Sequence, residues 1–171
     1  MNILSLSILL LTGLLSAAEL PSGQASPEGA ACDMGVAFIK ADTDLWKKVT
    51  MPSTKKDYAE FIQEIAGQME KQKGLSEDQK AGPKEIGICF KMGKLSKDGP
   101  NSYSYAAFGM EEIGFVDVGT VNRDGTRGIT RTFVCKIDGK WFALPRPDMF
   151  PLLTDGLNDE KRPADIVYKS K

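Results

Sequence analysis

From Ala31 to Met69 the apolar residues recur at the three- and four-residue spacing of a helix face, and from Ile86 onward they alternate. This change of period constrains the fold more than any other feature, because a helix buries one stripe while a half-buried strand buries every second residue. The chain therefore reads as helices first and antiparallel strands afterwards. That order describes an α+β domain in which N-terminal helices pack on one curved antiparallel sheet of four to five strands.

Ser26 is placed to cap a helix that has Pro27 at its first position, and Ala31, Met34, Phe38 and Ile39 follow at helical spacing, which predicts a helix from Pro27 to Ala41. Gly29 and Gly35 cost this helix about 1 kcal/mol each relative to Ala, so they mark places where a sheet or another helix packs close. Thr43 reads as the cap of a short second helix carrying Leu45, Trp46 and Val49, and Pro52 ends it. Ser53 or Thr54 caps a third, whose stripe of Tyr58, Phe61, Ile62, Ile65 and Met69 runs to about Lys73, with Gly74 as its stop. In the second half, Ile86, Ile88, Phe90 and Met92 share one face of a strand. Further strands are expected over Tyr103 to Met110, Ile113 to Val121, Ile129 to Ile137 and Trp141 to Leu144. Ile129, Arg131, Phe133, Cys135 and Ile137 share a face of the fourth, and Asp138-Gly139 makes the tightest hairpin in the chain.

The ends of the chain bear on location. Ile3 to Leu15 is an apolar run followed by Ser16-Ala17-Ala18, which reads as a cleaved signal peptide over residues 1–18 and an exported protein, periplasmic or extracellular. The run is shorter than the ~20 residues of a membrane span, so no stable span is expected after cleavage. Residues 19–25 then form a mobile leader, 26–150 a single domain and 151–171 a polar tail.

Composition narrows the chemistry. The 22 basic and 23 acidic residues are interspersed, which argues against nucleic-acid binding. The absence of histidine removes histidine-based triads and zinc hydrolase sites. No metal or cofactor is called for, since Asp155, Asn158, Asp159 and Glu160 lack the spacing of a calcium loop. Three cysteines are an odd number for an exported chain, so at least one stays free or pairs with another molecule. Cys89 and Cys135 both lie in strands and could pair across the sheet if register permits; otherwise all three, Cys32 included, are small buried hydrophobes.

Ala37-Phe38-Ile39-Lys40-Ala41-Asp42, then Leu45-Trp46, and finally Cys135-Lys136-Ile137-Asp138-Gly139-Lys140-Trp141 resemble the cystatin-like cone fold of the nuclear-transport-factor-like and SnoaL-like superfamily, especially its small exported bacterial members. The resemblance covers roughly Ser26 to Leu144. It implies a cone-like sheet around a cavity, used by different members for small apolar ligands, for catalysis or for pairing with partners. This chain departs from many members in showing no strand between its first two helices.

The reading that follows is an exported, non-enzymatic module that binds a small apolar molecule or a protein partner through its concave sheet, with Tyr103, Tyr105, Arg131 and Phe133 as candidate ligand-binding residues. Two alternatives accompany it. One is a histidine-independent enzyme using a buried carboxylate, Asp33 or Asp117, with a tyrosine. The other is a homodimer or interaction protein that pairs through the open sheet. For Asp117 and Arg131 the simpler reading is a cross-strand ion pair on the outer sheet face, worth ~0.2 to 1 kcal/mol.

Overall fold

A computed structural model of the protein describes residues 19–52, 56–80, 82–90, 92–97, 105–146 and 167–169. Helices α1 (Pro27–Lys40), α2 (Thr43–Val49) and α3 (Lys56–Lys73) come first. Strands β1 (Pro83–Phe90), β2 (Gly93–Lys94), β3 (Glu112–Asn122), β4 (Arg127–Ile137), β5 (Lys140–Leu144) and β6 (Val167–Lys169) follow. They form one open antiparallel sheet in the order β5-β4-β3-β1-β6, with β2 also paired to β3. The expected α+β, cone-like architecture is observed, with α1 lying across β1, β3, β4 and β5. The helix side of the sheet is termed the inner face and the opposite side the outer face.

Helix α1 starts as its sequence predicts: the Ser26 hydroxyl accepts from the Gly29 N–H at 3.0 Å and Pro27 fills the first turn. It ends at Ala41, whose φ of 52° turns the chain so that the Asp42 N–H reaches the Ala37 carbonyl at 2.9 Å. The cap of α2 differs from expectation. Asp42, not Thr43, fills it, accepting from the Leu45 N–H at 2.9 Å, while the Thr43 hydroxyl donates to Glu70 on α3 at 2.7 Å. Aspartate leaves its neighbour's hydroxyl free to tie α2 to α3. The expected caps Ser53 and Thr54 lie outside the described residues.

Both α1 glycines are close approaches. A Cβ on Gly35 would stand 2.8 Å from Ile86 Cδ1, so α1 and β1 pack there as expected. A Cβ on Gly29 would stand 2.3 Å from the Gly23 carbonyl oxygen, so the crossing element is the chain before α1. The expected mobile leader is laced to the domain. The Gly23 N–H donates to Asp33 Oδ2 at 2.7 Å, the Gln24 carbonyl accepts from the Trp141 N–H at 2.9 Å, and Leu20 packs on the α1–sheet core.

Three strand expectations need correction. Strand β1 carries a register shift between Ile86 and Ile88. This bulge places Ile86 and Cys89 in the inner core, leaving Ile88 and Phe90 on the outer face, so the strict alternation of Ile86, Ile88 and Phe90 fails. Within the stretch expected as a strand over Tyr103 to Met110, the described residues form a helical turn over 105–107. Gly109 at φ 62° follows it and the Met110 N–H closes onto the Tyr105 carbonyl at 3.0 Å, a glycine-terminated helix end. Finally, part of the polar tail pairs as β6 with β1. The Asp138-Gly139 hairpin is as read, with φ of 49° and 72° at its two central residues.

Among the described residues the core has three parts. Ala30, Ala31, Cys32, Cys89, Val116 and Val134 fill the space between α1 and the inner face. Met34, Ala37, Trp46, Val49 and Met69 join the helices. Ile113, Phe115, Cys135 and Leu144 pack on the outer face with Met51, Tyr58 and Met110. Cys89 and Cys135 thus lie on opposite faces with β3 between their strands, so the pairing left open by the sequence is excluded, and all three cysteines are buried thiols.

Candidate binding cleft

A cleft of about 410 Å³ opens between α1 and the inner face of β3 and β4, within the ~300–1,000 Å³ range of small-molecule sites. Helical spacing carries Ala31, Met34, Gly35 and Phe38 to it from α1, and alternation carries Val118, Thr120, Thr130 and Thr132 from the sheet. The pairing Val118↔Thr130 and Val116↔Thr132 fixes the hydroxyls on this face. Gly35 is what allows the helix to come down on β1 beside the cleft. Phe38 stands at the mouth, 39% exposed, with its ring edge-to-face on Trp46 at 4.7 Å.

The charge at the rim is already matched. Arg123 is the charged side chain among the described lining residues. Its guanidinium donates to the Glu77 carbonyl at 2.7 Å, to the Gly82 carbonyl at 2.9 Å and to Glu77 Oε2 at 3.2 Å. It clamps the α3–β1 connection against the β3–β4 turn. Lys80, and then Arg123, hold the Glu77 carboxylate below its usual range. The described lining contains no carboxylate, thiol or tyrosine, so the cleft offers apolar contact and hydroxyl hydrogen bonds without a general base.

The residues singled out in the sequence stand elsewhere. Arg131 and Phe133 share a face of β4 as expected, but it is the outer face. There Arg131 makes a two-pronged pair with Asp117, Nε to Oδ1 at 2.8 Å and Nη2 to Oδ2 at 2.9 Å, and stacks 3.9 Å from the Phe115 ring centroid. The expected cross-strand pair is present, with the Asp117 side chain buried at 2% exposed and Arg131 partly buried at 18%. Phe133 packs into the outer core. Tyr105 is a clamp: its hydroxyl donates to the Leu95 carbonyl at 3.1 Å and accepts from the Ile113 N–H at 3.0 Å, and desolvation raises its pKa. Tyr103 lies outside the described residues. Asp33 holds the chain before α1, as described above, and neither it nor Asp117 lines the cleft.

The threonines of the cleft were missed because a β-branched polar residue on a strand reads as ordinary sheet surface. Their signal was the facing valines: Val116 and Val118 lie opposite Thr132 and Thr130, so an apolar inner face continues into hydroxyls. Among the described residues no cluster of three or more histidine, cysteine or acidic side chains could hold a metal ion, and no helix is long and apolar enough to cross a membrane.

No family model matches the chain, and no curated protein matches it. A solved structure of an NTF2-like transpeptidase from Campylobacter jejuni is similar to it at 16% sequence identity and a TM-score of 0.45, covering 69% of this chain and 96% of that one.

Proposed function

We propose that this protein is an exported, non-enzymatic binding module whose cleft between α1 and the inner sheet face takes a small, neutral, largely apolar molecule. The observation that carries this reading is the make-up of the cleft: Met34, Phe38 and Val118 supply apolar surface, and Thr120, Thr130 and Thr132 supply hydrogen bonds. A neutral ligand follows from the charge balance, since Arg123 is engaged by Glu77 and a charged guest would have to enter without a counter-ion. Acid–base catalysis finds no support in this lining.

The test is native mass spectrometry of the protein exported by its own N-terminal segment. The expected result is a mass excess that vanishes on denaturation. A bare polypeptide mass, together with no change in melting temperature across a panel of neutral apolar compounds, contradicts the proposal. A Thr130→Trp variant locates the site: Thr130 is exposed, so an indole there fills the cleft without entering the core, and the mass excess is expected to disappear while the fold remains.

A further inference from the structure

Helix α1 and strand β1 meet without a spacer where Gly35 faces Ile86, and earlier along the same helix they bring two thiols together. Cys89 Sγ lies 3.9 Å from the Glu28 carbonyl oxygen. In an α-helix that carbonyl accepts from the N–H four residues on, which belongs to Cys32. The Cys89 thiol therefore sits on the helical turn that carries Cys32, and both residues belong to one buried cluster, 0% and 1% exposed respectively. The neighbouring Cys89 thiol and burial together raise the Cys32 pKa well above its ordinary value. Cys135 is on the far face of the sheet, opposite Ile113, and cannot reach either.

We propose that Cys32 and Cys89 form a dithiol that oxidises to a disulfide joining α1 to β1, leaving Cys135 as the single thiol. The odd cysteine count then resolves into one pair and one buried hydrophobe. The oxidant is a disulfide of the glutathione class. One cysteine thiolate attacks it, forming a mixed disulfide and releasing one glutathione thiol; the second thiolate attacks the mixed disulfide, forming the Cys32–Cys89 bond and releasing the other. The protein dithiol loses two electrons and two protons, and one glutathione disulfide becomes two thiols. Because both sulfurs are buried in the folded chain, closure belongs to folding, before α1 docks on β1. A bond between residues so far apart in sequence constrains the unfolded chain and stabilises the fold.

The experiment refolds the full chain from reductant and denaturant in glutathione buffers stepped from fully reduced to fully oxidised, followed by acid quench, alkylation under denaturing conditions and peptide mapping. The expected result is a mass loss of about 2 Da, one cross-linked peptide containing Cys32 and Cys89, and alkylation at Cys135 alone. Cys135→Ser keeps the cross-link and Cys89→Ser abolishes it. The urea midpoint of the oxidised form is expected above that of the same protein kept in dithiothreitol. Three alkylatable thiols at every glutathione ratio, a cross-link containing Cys135, or a urea midpoint that oxidation leaves unchanged or lowers would each overturn the proposal.

Discussion

Asp117 shows what one residue demands once it leaves solvent. Its carboxylate is buried and matched by both prongs of Arg131, so the pair differs in kind from the weak surface ion pair its spacing suggests. Asp117→Ala removes the carboxylate that accepts both hydrogen bonds from the guanidinium beside Phe115 and is expected to cost about 3–5 kcal/mol in urea unfolding; a change below the ~1 kcal/mol of a surface pair would contradict this account. Cys135 makes a second, pH-dependent prediction. Burial raises its pKa from 9.0 to about 12, so between those values the folded state holds a proton that the unfolded state has lost. The resulting stability is complete below pH 9 and is lost as pH rises toward 12, at no more than about 1.4 kcal/mol per pH unit. The raised Cys32 and Tyr58 values act in the same direction in the reduced protein. Urea midpoints at pH 8, 9.5 and 10.5 are expected to fall, less steeply in Cys135→Ala; equal slopes would contradict the assignment. The sequence reveals the alternation that pairs Asp117 with Arg131, but nothing local to either residue reveals that the outer face is covered there.

At the scale of elements, helices and hairpins were legible because their signals are local. Ser26-Pro27 starts α1 and Asp138-Gly139 turns the β4–β5 hairpin for reasons contained in a few residues. The bulge in β1 and the helical turn at Tyr105 were not legible in the same way. The bulge depends on which partner β1 meets in β3. The turn depends on Gly109 adopting a left-handed φ and on Tyr105 finding Leu95 and Ile113, all settled by packing. Two predictions belong here. Gly139→Val forces a β-branched residue to φ 72° and is expected to destabilise the protein by about 1–3 kcal/mol, measured by thermal or urea unfolding. Gly35→Leu drives a side chain into Ile86 and is expected to cost about 1–3 kcal/mol. Combining it with Ile86→Ala makes room for the new side chain, so the double variant is expected to be more stable than the sum of the single costs. Strict additivity would show that the helix and strand are not in direct contact.

At the scale of the whole molecule, the change of period predicts the arrangement, since an amphipathic helix followed by an alternating meander buries both only by wrapping the sheet on the helix. The cleft was not predicted. Arg131 and Phe133 are conspicuous in the sequence, yet one residue of alternation separates them from Thr130 and Thr132, and only packing decides which face meets α1. The most direct test of the central claim is amide chemical-shift mapping while the protein is titrated with a neutral long-chain alcohol. The account predicts saturable shifts gathered at Met34, Phe38, Val118, Thr130 and Thr132, and their loss in Thr130→Trp. Shifts gathered instead around Ile88, Phe90 and Ile129 on the outer face, or no saturable shifts, would contradict it.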